Sequence, residues 1–293
     1  MRLLLVLGLL LATTACGSLG NELGHDSGKV QVAAGFYPLA WTAERIGGNR
    51  VEVTNLTQPG AEPHDLELTI QETVAIAEAD VVVYEKGFQP AVDDSVEQNA
   101  QGATLDAATV ADLEPFADQP DELDPHFWQD PLRLADVGDA LAAELSKADP
   151  QHAAAYDAHA RALRRQLVAL DHEYATGLAD CARHTIVSTH DAFGYLQKYG
   201  LHVEPITGLS PDAEPTPADL GRLQDLIRSD GITTVFSETL VSAKTADTLA
   251  QDLGIRSVVL DPIEGLSDRT AGQDYLSLMH SNLQALEKAN GCR

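Results

Sequence analysis

The chain has 293 residues, of which 44% are hydrophobic and 22% are charged. This length and balance are typical of a globular protein with room for two domains. Asp and Glu total 45 against 19 Lys and Arg, giving a formal net charge of −26. That charge argues against nucleic acid or an anionic membrane surface as a partner and favours the binding of a cation.

The first segment is predicted to be an export signal. Arg2 precedes an apolar run from Leu3 to Leu11 that is too short to cross a bilayer as a permanent helix. The run ends in Thr-Thr-Ala-Cys-Gly around Cys16, which resembles a bacterial lipobox. We therefore predict a lipoprotein signal peptide over 1–16, lipidation of Cys16 and a flexible tether over 17–29. A plain secreted protein, in which Cys16 is incidental, is the alternative.

Residues 30–148 are predicted to form an N-terminal lobe, because short apolar runs alternate with amphipathic segments. This alternation is typical of a parallel sheet with helices on its faces. The predicted strands are Val30 to Ala34, Val51 to Leu56, Asp80 to Tyr84 and Ala103 to Leu105. The predicted helices are Pro38 to Ile46, Thr69 to Ala79 and Pro131 to Lys147.

Residues 149–179 are predicted to form one long linking helix. Asp149-Pro150 supplies an N-cap followed by proline at the first helical position. Apolar residues then recur in steps of three, four or seven, which keeps one stripe facing inward. They are Tyr156, Leu163, Leu167, Leu170, Tyr174 and Leu178. Such a helix spans roughly 40 Å and can support both halves of the chain, whereas an ordinary surface helix is the alternative.

Residues 180–293 repeat the alternation and are predicted to form a C-terminal lobe. The predicted strands are Thr185 to Ser188, His202 to Pro205, Thr233 to Phe236 and Ser257 to Leu260. The predicted helices are Ala192 to Lys198, Thr216 to Ser229, Ala243 to Asp252 and Gln273 to Ala289. The predicted fold class is therefore α/β, with two lobes of parallel sheet flanked by helices and joined by one long backbone helix.

Two further cysteines, Cys181 and Cys292, stand at the start of the second lobe and at the end of the chain. Export permits a disulfide, which would tie the C-terminus to the end of the linking helix. Two unrelated thiols are the alternative. Neither residue belongs to a Cys-x-x-Cys pair, which argues against a thiolate zinc site or a thioredoxin-like redox motif.

Four potential metal ligands follow predicted strands, at the carboxyl ends where open α/β sheets bind their ligands. His64 follows the second strand and His126 the fourth, while His190 and Asp261 follow the first and last strands of the second lobe. Three imidazoles and one carboxylate make a complete four-coordinate shell for Zn²⁺. A loop histidine taken alone is more often solvent-facing or hydrogen-bonded, so position by itself leaves both interpretations open.

The motifs around these residues resemble those of a known family. They are Pro-His-Asp at His64, Asp-Pro-His-Phe-Trp-Gln-Asp-Pro at His126, Ser-Thr-His-Asp-Ala-Phe-Gly-Tyr-Leu at His190 and Leu-Asp-Pro at Asp261. In this order they resemble the signatures of zinc and manganese solute-binding proteins of ATP-binding cassette importers, and the similarity covers 35–276. The resemblance implies two (β/α) lobes joined by a single long helix, with the metal between them.

The same resemblance implies the ligand set. It assigns His64 and His126 as ligands from the first lobe, and His190 and Asp261 as ligands from the second. Glu238 matches a family position near the site, where we expect it to support a ligand without binding the metal. Manganese members tend to carry glutamate at the third ligand position and zinc members histidine, so His190 favours Zn²⁺, as imidazole chemistry does. Mn²⁺ stays the alternative cargo.

The function predicted from this resemblance is a receptor, not an enzyme. It would capture Zn²⁺ outside the cytoplasm and deliver it to an ATP-binding cassette permease, as a monomer lipid-anchored to the outer face of the cell membrane. Many zinc members carry a histidine-rich loop, but here residues 112–124 are acidic without histidine. We interpret them as a solvated loop, with a metal-collecting arm as the alternative. A zinc-dependent hydrolase and a surface adhesion protein are the rival functions.

Overall fold

The computed structural model describes residues 28–116, 119–211 and 213–293. The predicted signal peptide, Cys16 and all but the last two residues of the predicted tether lie outside these ranges. Among the residues that are described, no helix combines the length and the apolar character needed to cross a membrane.

The first lobe is a four-stranded parallel sheet in the order β2-β1-β3-β4. The strands are β1 Val30–Ala34, β2 Val51–Asn55, β3 Val81–Tyr84 and β4 Ala103–Asp106. The helices are α1 Tyr37–Gly47, α2 Ile70–Glu78, α3 Pro90–Asn99, α4 Ala107–Ala111 and α5 Pro131–Ala148. The predicted elements are present, and α3 and α4 add to them. Both escape the apolar pattern, because α3 buries few residues and α4 has only five.

The linking segment begins with a 3-10 turn, Pro150–His152, and continues as α6, Ala153–Gly177. The Asp149 carboxylate stabilises this start, since it accepts the Tyr156 hydroxyl at 2.9 Å and pairs with the His152 ring at 2.6 Å. The predicted apolar stripe is buried along its whole length and packs on α1 and α5. The predicted linking helix is therefore confirmed, with its first turn wound more tightly.

The second lobe repeats the first with a parallel sheet in the order β6-β5-β7-β8. The strands are β5 Thr185–Ser188, β6 His202–Pro205, β7 Thr234–Ser237 and β8 Arg256–Val259. The helices are α7 Pro217–Ser229, α8 Lys244–Leu253 and α9 Tyr275–Asn290. The helix predicted over Ala192 to Lys198 is a 3-10 helix instead, Gly194–Tyr199.

The two lobes share one apolar core, which runs from the first sheet through the buried stripe of α6 to α9. At the far end of α6, the Tyr174 hydroxyl donates to the Met279 carbonyl at 2.7 Å, so α6 holds both lobes. The predicted pairing of Cys181 with Cys292 is confirmed by a disulfide that ties the end of the chain to the start of the second lobe.

Candidate metal centre

His64 lies in the loop that follows β2, and neighbouring polar groups fix this loop. The Glu62 carboxylate accepts the His64 backbone N–H at 3.0 Å, and the Gln89 side chain donates to the Pro63 carbonyl at 3.2 Å. Gly60 has φ 85°, a conformation that suits glycine, and its N–H donates to the Leu266 carbonyl of the second lobe at 2.7 Å. The loop is therefore anchored on both sides of the cleft.

His126 is held by a carboxylate from its own loop. Asp124 Oδ1 accepts the His126 backbone N–H at 2.9 Å and lies 2.7 Å from the ring Nδ1. A carboxylate on Nδ1 leaves Nε2 free to bind a metal and makes the ring a better ligand. The Tyr195 hydroxyl of the second lobe donates to the Asp124 carbonyl at 2.8 Å, which fixes the loop from across the cleft.

His190 is held in the same way, but by a residue that is distant in sequence. Glu238, which follows β7, places Oε1 2.7 Å from Nδ1 of His190 and also accepts its backbone N–H at 3.2 Å. The Thr189 hydroxyl donates to the same carboxylate oxygen. The side chain of His190 is fully buried, so its orientation depends on these bonds.

Glu264 completes the group. Its Oε1 lies 3.5 Å from Nε2 of His64, 3.3 Å from Nε2 of His126 and 3.2 Å from Nε2 of His190. A tetrahedral zinc site with bonds of about 2.0–2.1 Å has edges of about 3.3–3.4 Å between its ligand atoms. Among the described residues, these four side chains form the group of His, Cys, Asp and Glu able to surround one ion. The three distances from Glu264 match the edges of a zinc tetrahedron, and the four ligand atoms, which come from both lobes, lie within 4.8 Å of one another.

Asp261 was the predicted fourth ligand, and the structure does not bring it to this group. Its Oδ2 accepts the Thr239 hydroxyl at 2.8 Å and its Oδ1 accepts the Ile263 backbone N–H at 2.8 Å. Both carboxylate oxygens of Asp261 thus accept hydrogen bonds, and the bond from Ile263 fixes the loop that presents Glu264. Glu264, which the predicted ligand set lacks, stands three residues after Asp261 on the same loop.

Comparison with known proteins agrees with this arrangement of elements. The family described as zinc-uptake complex component A, periplasmic (ZnuA) matches residues 32–289. The chain belongs to the ZnuA family. The high-affinity zinc uptake system protein ZnuA of Bacillus subtilis is 30% identical over 298 residues, covering 94% of this chain and 93% of that protein.

Streptococcal proteins are also similar to this chain in sequence and fold. The zinc-binding lipoprotein AdcA of Streptococcus pneumoniae is 31% identical over 280 residues, which cover 89% of this chain. The chain spans about half, 56%, of the length of that relative. The Zn(II)-bound ZnuA-like domain of AdcA superposes with a TM-score of 0.78 at 31% identity, covering 90% of this chain and 99% of that domain. A mutant of the laminin-binding adhesin Lmb from Streptococcus agalactiae gives a TM-score of 0.82 at 28% identity, covering 89% and 99%.

The carboxylates around the site change the protonation of two imidazoles. Burial alone would lower the pKa of His126, but Asp124 and then Glu264 raise that pKa to about 9. Burial likewise opposes the charged form of His190, yet Glu264 and Glu238 hold the pKa of His190 well above its usual range. At neutral pH without a cation, the rings of His126 and His190 are therefore protonated on both nitrogens and positively charged. A metal ion must displace these protons when it binds.

His64 and Glu264 shift in the opposite direction. Burial is the main cause that lowers the pKa of His64, so this imidazole is neutral and ready to bind at neutral pH. Burial would raise the pKa of Glu264, but His190 and the other two imidazoles hold it well below the usual range. Glu264 is thus a carboxylate surrounded by nitrogen ligands, an arrangement in which a divalent cation replaces protons as the balancing charge.

Proposed function

We propose that this protein is an extracytoplasmic receptor that captures Zn²⁺ and delivers it to an ATP-binding cassette permease for uptake. The observation that carries the proposal is the convergence of three imidazole nitrogens on Glu264 at 3.2–3.5 Å, between the lobes. The proposed ligands are His64, His126, His190 and Glu264. Membership of the ZnuA family and the zinc-binding relatives support the same cargo.

The donor set favours zinc over manganese. Three imidazoles and a single carboxylate suit Zn²⁺, which accepts a tetrahedral shell of nitrogen and oxygen ligands. Mn²⁺ prefers more oxygen ligands and a larger coordination number. Mn²⁺ is therefore the weaker cargo in this proposal, and a competition titration with both metals distinguishes the two.

A receptor also fits the closed character of the site better than an enzyme does. Catalytic zinc keeps an open position for water or substrate, whereas four protein ligands fill a tetrahedral shell. The side chains of His126 and His190 are fully buried, and those of Glu264 and His64 are 1% and 8% exposed. The protein as proposed therefore holds its cation and performs no reaction on it.

The proposal includes the placement of the chain in the cell. We infer that residues 1–16 are a lipoprotein signal peptide, that Cys16 carries the lipid anchor, and that 17–29 tether a monomeric receptor to the outer face of the membrane. The name of the AdcA relative, a zinc-binding lipoprotein, supports the anchor. The receptor itself comprises the lobes 30–148 and 180–293 with the linking helix 149–179.

Zinc titration of the metal-stripped protein against a chelating dye tests the ligand set. We expect one tight site per chain, and we expect Glu264→Gln to weaken zinc binding by about 100-fold, or about 2.7 kcal/mol, because the amide is a poor ligand. The matched control is Glu67→Gln, which removes the same charge from an exposed position in the His64 loop. Parental affinity in Glu264→Gln would refute this ligand set, and a parent without a stoichiometric zinc site would refute the receptor.

Adhesion is a second candidate function, and one observation favours it. The chain superposes on the laminin-binding adhesin Lmb with a TM-score of 0.82. Adhesion would use the outer surface of the lobes and would be compatible with a metal between them. Binding of the purified protein to immobilised laminin, with and without zinc, tests this second candidate.

A further inference from the structure

A single carbonyl group joins the loop of one proposed ligand to the loop of another. The Pro262 carbonyl oxygen accepts the Trp128 indole N–H at 2.7 Å and the Gln129 side-chain N–H at 2.6 Å. The donors stand two and three residues after His126 in the first lobe, and Pro262 stands two residues before Glu264 in the second. These hydrogen bonds therefore connect the two sides of the cleft immediately beside the metal centre.

The residue between Pro262 and Glu264 has an unfavourable backbone conformation. Ile263 has φ 62°, in the left-handed region that β-branched residues rarely adopt. The residue is fully buried, and its N–H donates to Asp261 Oδ1 at 2.8 Å. Such a conformation persists only where the surroundings impose it. Here hydrogen bonds to both groups of the Pro262–Ile263 peptide impose it. Asp261 holds the N–H group of this peptide, and Trp128 and Gln129 hold its carbonyl group.

The donors are themselves rigidly placed. Trp128 and Gln129 are 0% and 1% exposed, and the Tyr275 hydroxyl donates to the Trp128 carbonyl at 2.5 Å. The Trp128 ring packs against Phe36 and Phe88, with ring centroids 4.8 and 5.6 Å apart. A donor fixed by packing and hydrogen bonds can determine the position of the group that it binds.

We infer that Gln129 and Trp128 are positioning residues for Glu264. By holding the Pro262 carbonyl they keep Ile263 in its left-handed conformation and the Glu264 carboxylate against the three imidazoles. This inference rests on the proposed function, because it concerns how the same site retains its metal. Without these donors the Ile263 backbone relaxes, Glu264 withdraws from the imidazoles, and the ion is held by three ligands.

The test removes the donor and keeps the shape of the side chain. Gln129→Met has similar length but cannot donate, and the matched control is Gln71→Met on the exposed face of α2. We expect Gln129→Met to release zinc to excess chelator about 10-fold faster, since residues that support metal ligands contribute affinity of this order. We expect its zinc association rate to stay close to that of the parent.

A double-mutant cycle separates positioning from general stability. If Gln129 acts through Glu264, Gln129→Met adds nothing to the release rate of a protein that already carries Glu264→Gln. Full additivity of the two effects would overturn the inference. Cobalt substitution gives a second readout: we expect the visible absorption of Gln129→Met to resemble that of Glu264→Gln, and a parental spectrum would also overturn the inference.

A second variant and the parent protein distinguish failure of the positioning role from failure of the proposed function. Trp128→Phe removes the indole donor by itself and provides the same comparison if Gln129→Met does not fold. A parent protein without a zinc site would refute the proposed function. If Gln129→Met and Trp128→Phe both release zinc as slowly as the parent while Glu264→Gln binds zinc weakly, the positioning role is refuted. The proposed receptor function then still stands.

Discussion

The two lobes have the same strand order, yet each holds its buried histidine with a carboxylate of different origin. In the first lobe, Asp124 stands two residues before His126 and pairs with its Nδ1 at 2.7 Å. In the second, Glu238 pairs with Nδ1 of His190 at the same distance but is 48 residues away in sequence. The lobes thus reach one geometry by a local turn in one case and by the packing of neighbouring strands in the other.

The difference shows which parts of the centre depend on the whole lobe. The His126 ring and its carboxylate belong to one short loop, whereas the His190 ring requires β5 and β7 to be paired correctly. The second lobe also carries the disulfide between Cys181 and Cys292, at the end of the sheet where β5 begins. The lobe that depends more on long-range packing is therefore the one that has a covalent link.

The largest expected effect concerns this link. Replacing both Cys181 and Cys292 by serine should lower the free energy of unfolding by about 2–4 kcal/mol, because a disulfide across a long loop restricts the unfolded chain. The two cysteines are 111 residues apart in sequence. Urea denaturation with and without zinc measures the loss.

Zinc affinity of the folded variant should stay parental, since the disulfide lies away from the carboxyl ends of the strands. An unchanged unfolding midpoint would show that the second lobe does not depend on its covalent link. A loss of zinc affinity in the folded variant would mean that the link also shapes the site.

The next effect compares the two supporting carboxylates. Asp124→Asn and Glu238→Gln should each weaken zinc binding about 10- to 100-fold, because a carboxylate on Nδ1 orients the ring and strengthens it as a ligand. We expect the larger loss in Glu238→Gln, whose parent carboxylate also accepts Thr189. Isothermal titration calorimetry measures the difference in zinc affinity. The control is Asp94→Asn, a substitution at an exposed position. If both variants bind zinc as tightly as the parent, neither carboxylate has the supporting role assigned to it.

The smallest expected effect is on the number of protons that are released when zinc binds. The pKa of His126 is raised to about 9 and that of His190 lies well above its usual range, so zinc binding near neutral pH should release close to two protons. Titration calorimetry in buffers with different ionisation enthalpies counts them. The number of released protons should fall as pH rises beyond about 9, and zinc binding to Asp124→Asn should release fewer protons than zinc binding to the parent. Release of no protons at neutral pH would contradict this protonation state.

The same shifts set the pH dependence of the metal-free protein. A histidine whose pKa is higher in the folded state than in the unfolded state stabilises the fold below the unfolded value, about 6.5. That contribution is lost as pH rises through the folded value, about 9 for His126. Metal-free protein should therefore lose stability between these pH values, while zinc affinity increases because fewer protons compete.

The sequence was sufficient for much of the molecule. Apolar periodicity located the strands and the linking helix, because their burial patterns repeat at short range. The motifs at His64, His126 and His190 located three of the residues that converge between the lobes, since histidines at the carboxyl ends of parallel strands lie on the same side of a sheet. Helix α3 escaped prediction because only Val92, Ser95 and Val96 of its ten residues are buried.

The fourth member of the group was decided by the tertiary structure. Asp261 and Glu264 are both acidic residues of one loop, and no local pattern distinguishes them. Thr239 and the Ile263 backbone occupy the Asp261 carboxylate, while the bonds from Trp128 and Gln129 to Pro262 hold the loop that carries Glu264. Residue types along the chain restrict which side chains could bind a cation, because only some carry nitrogen or oxygen ligands. Contacts between distant parts of the chain place Glu264, and not Asp261, against the three imidazoles.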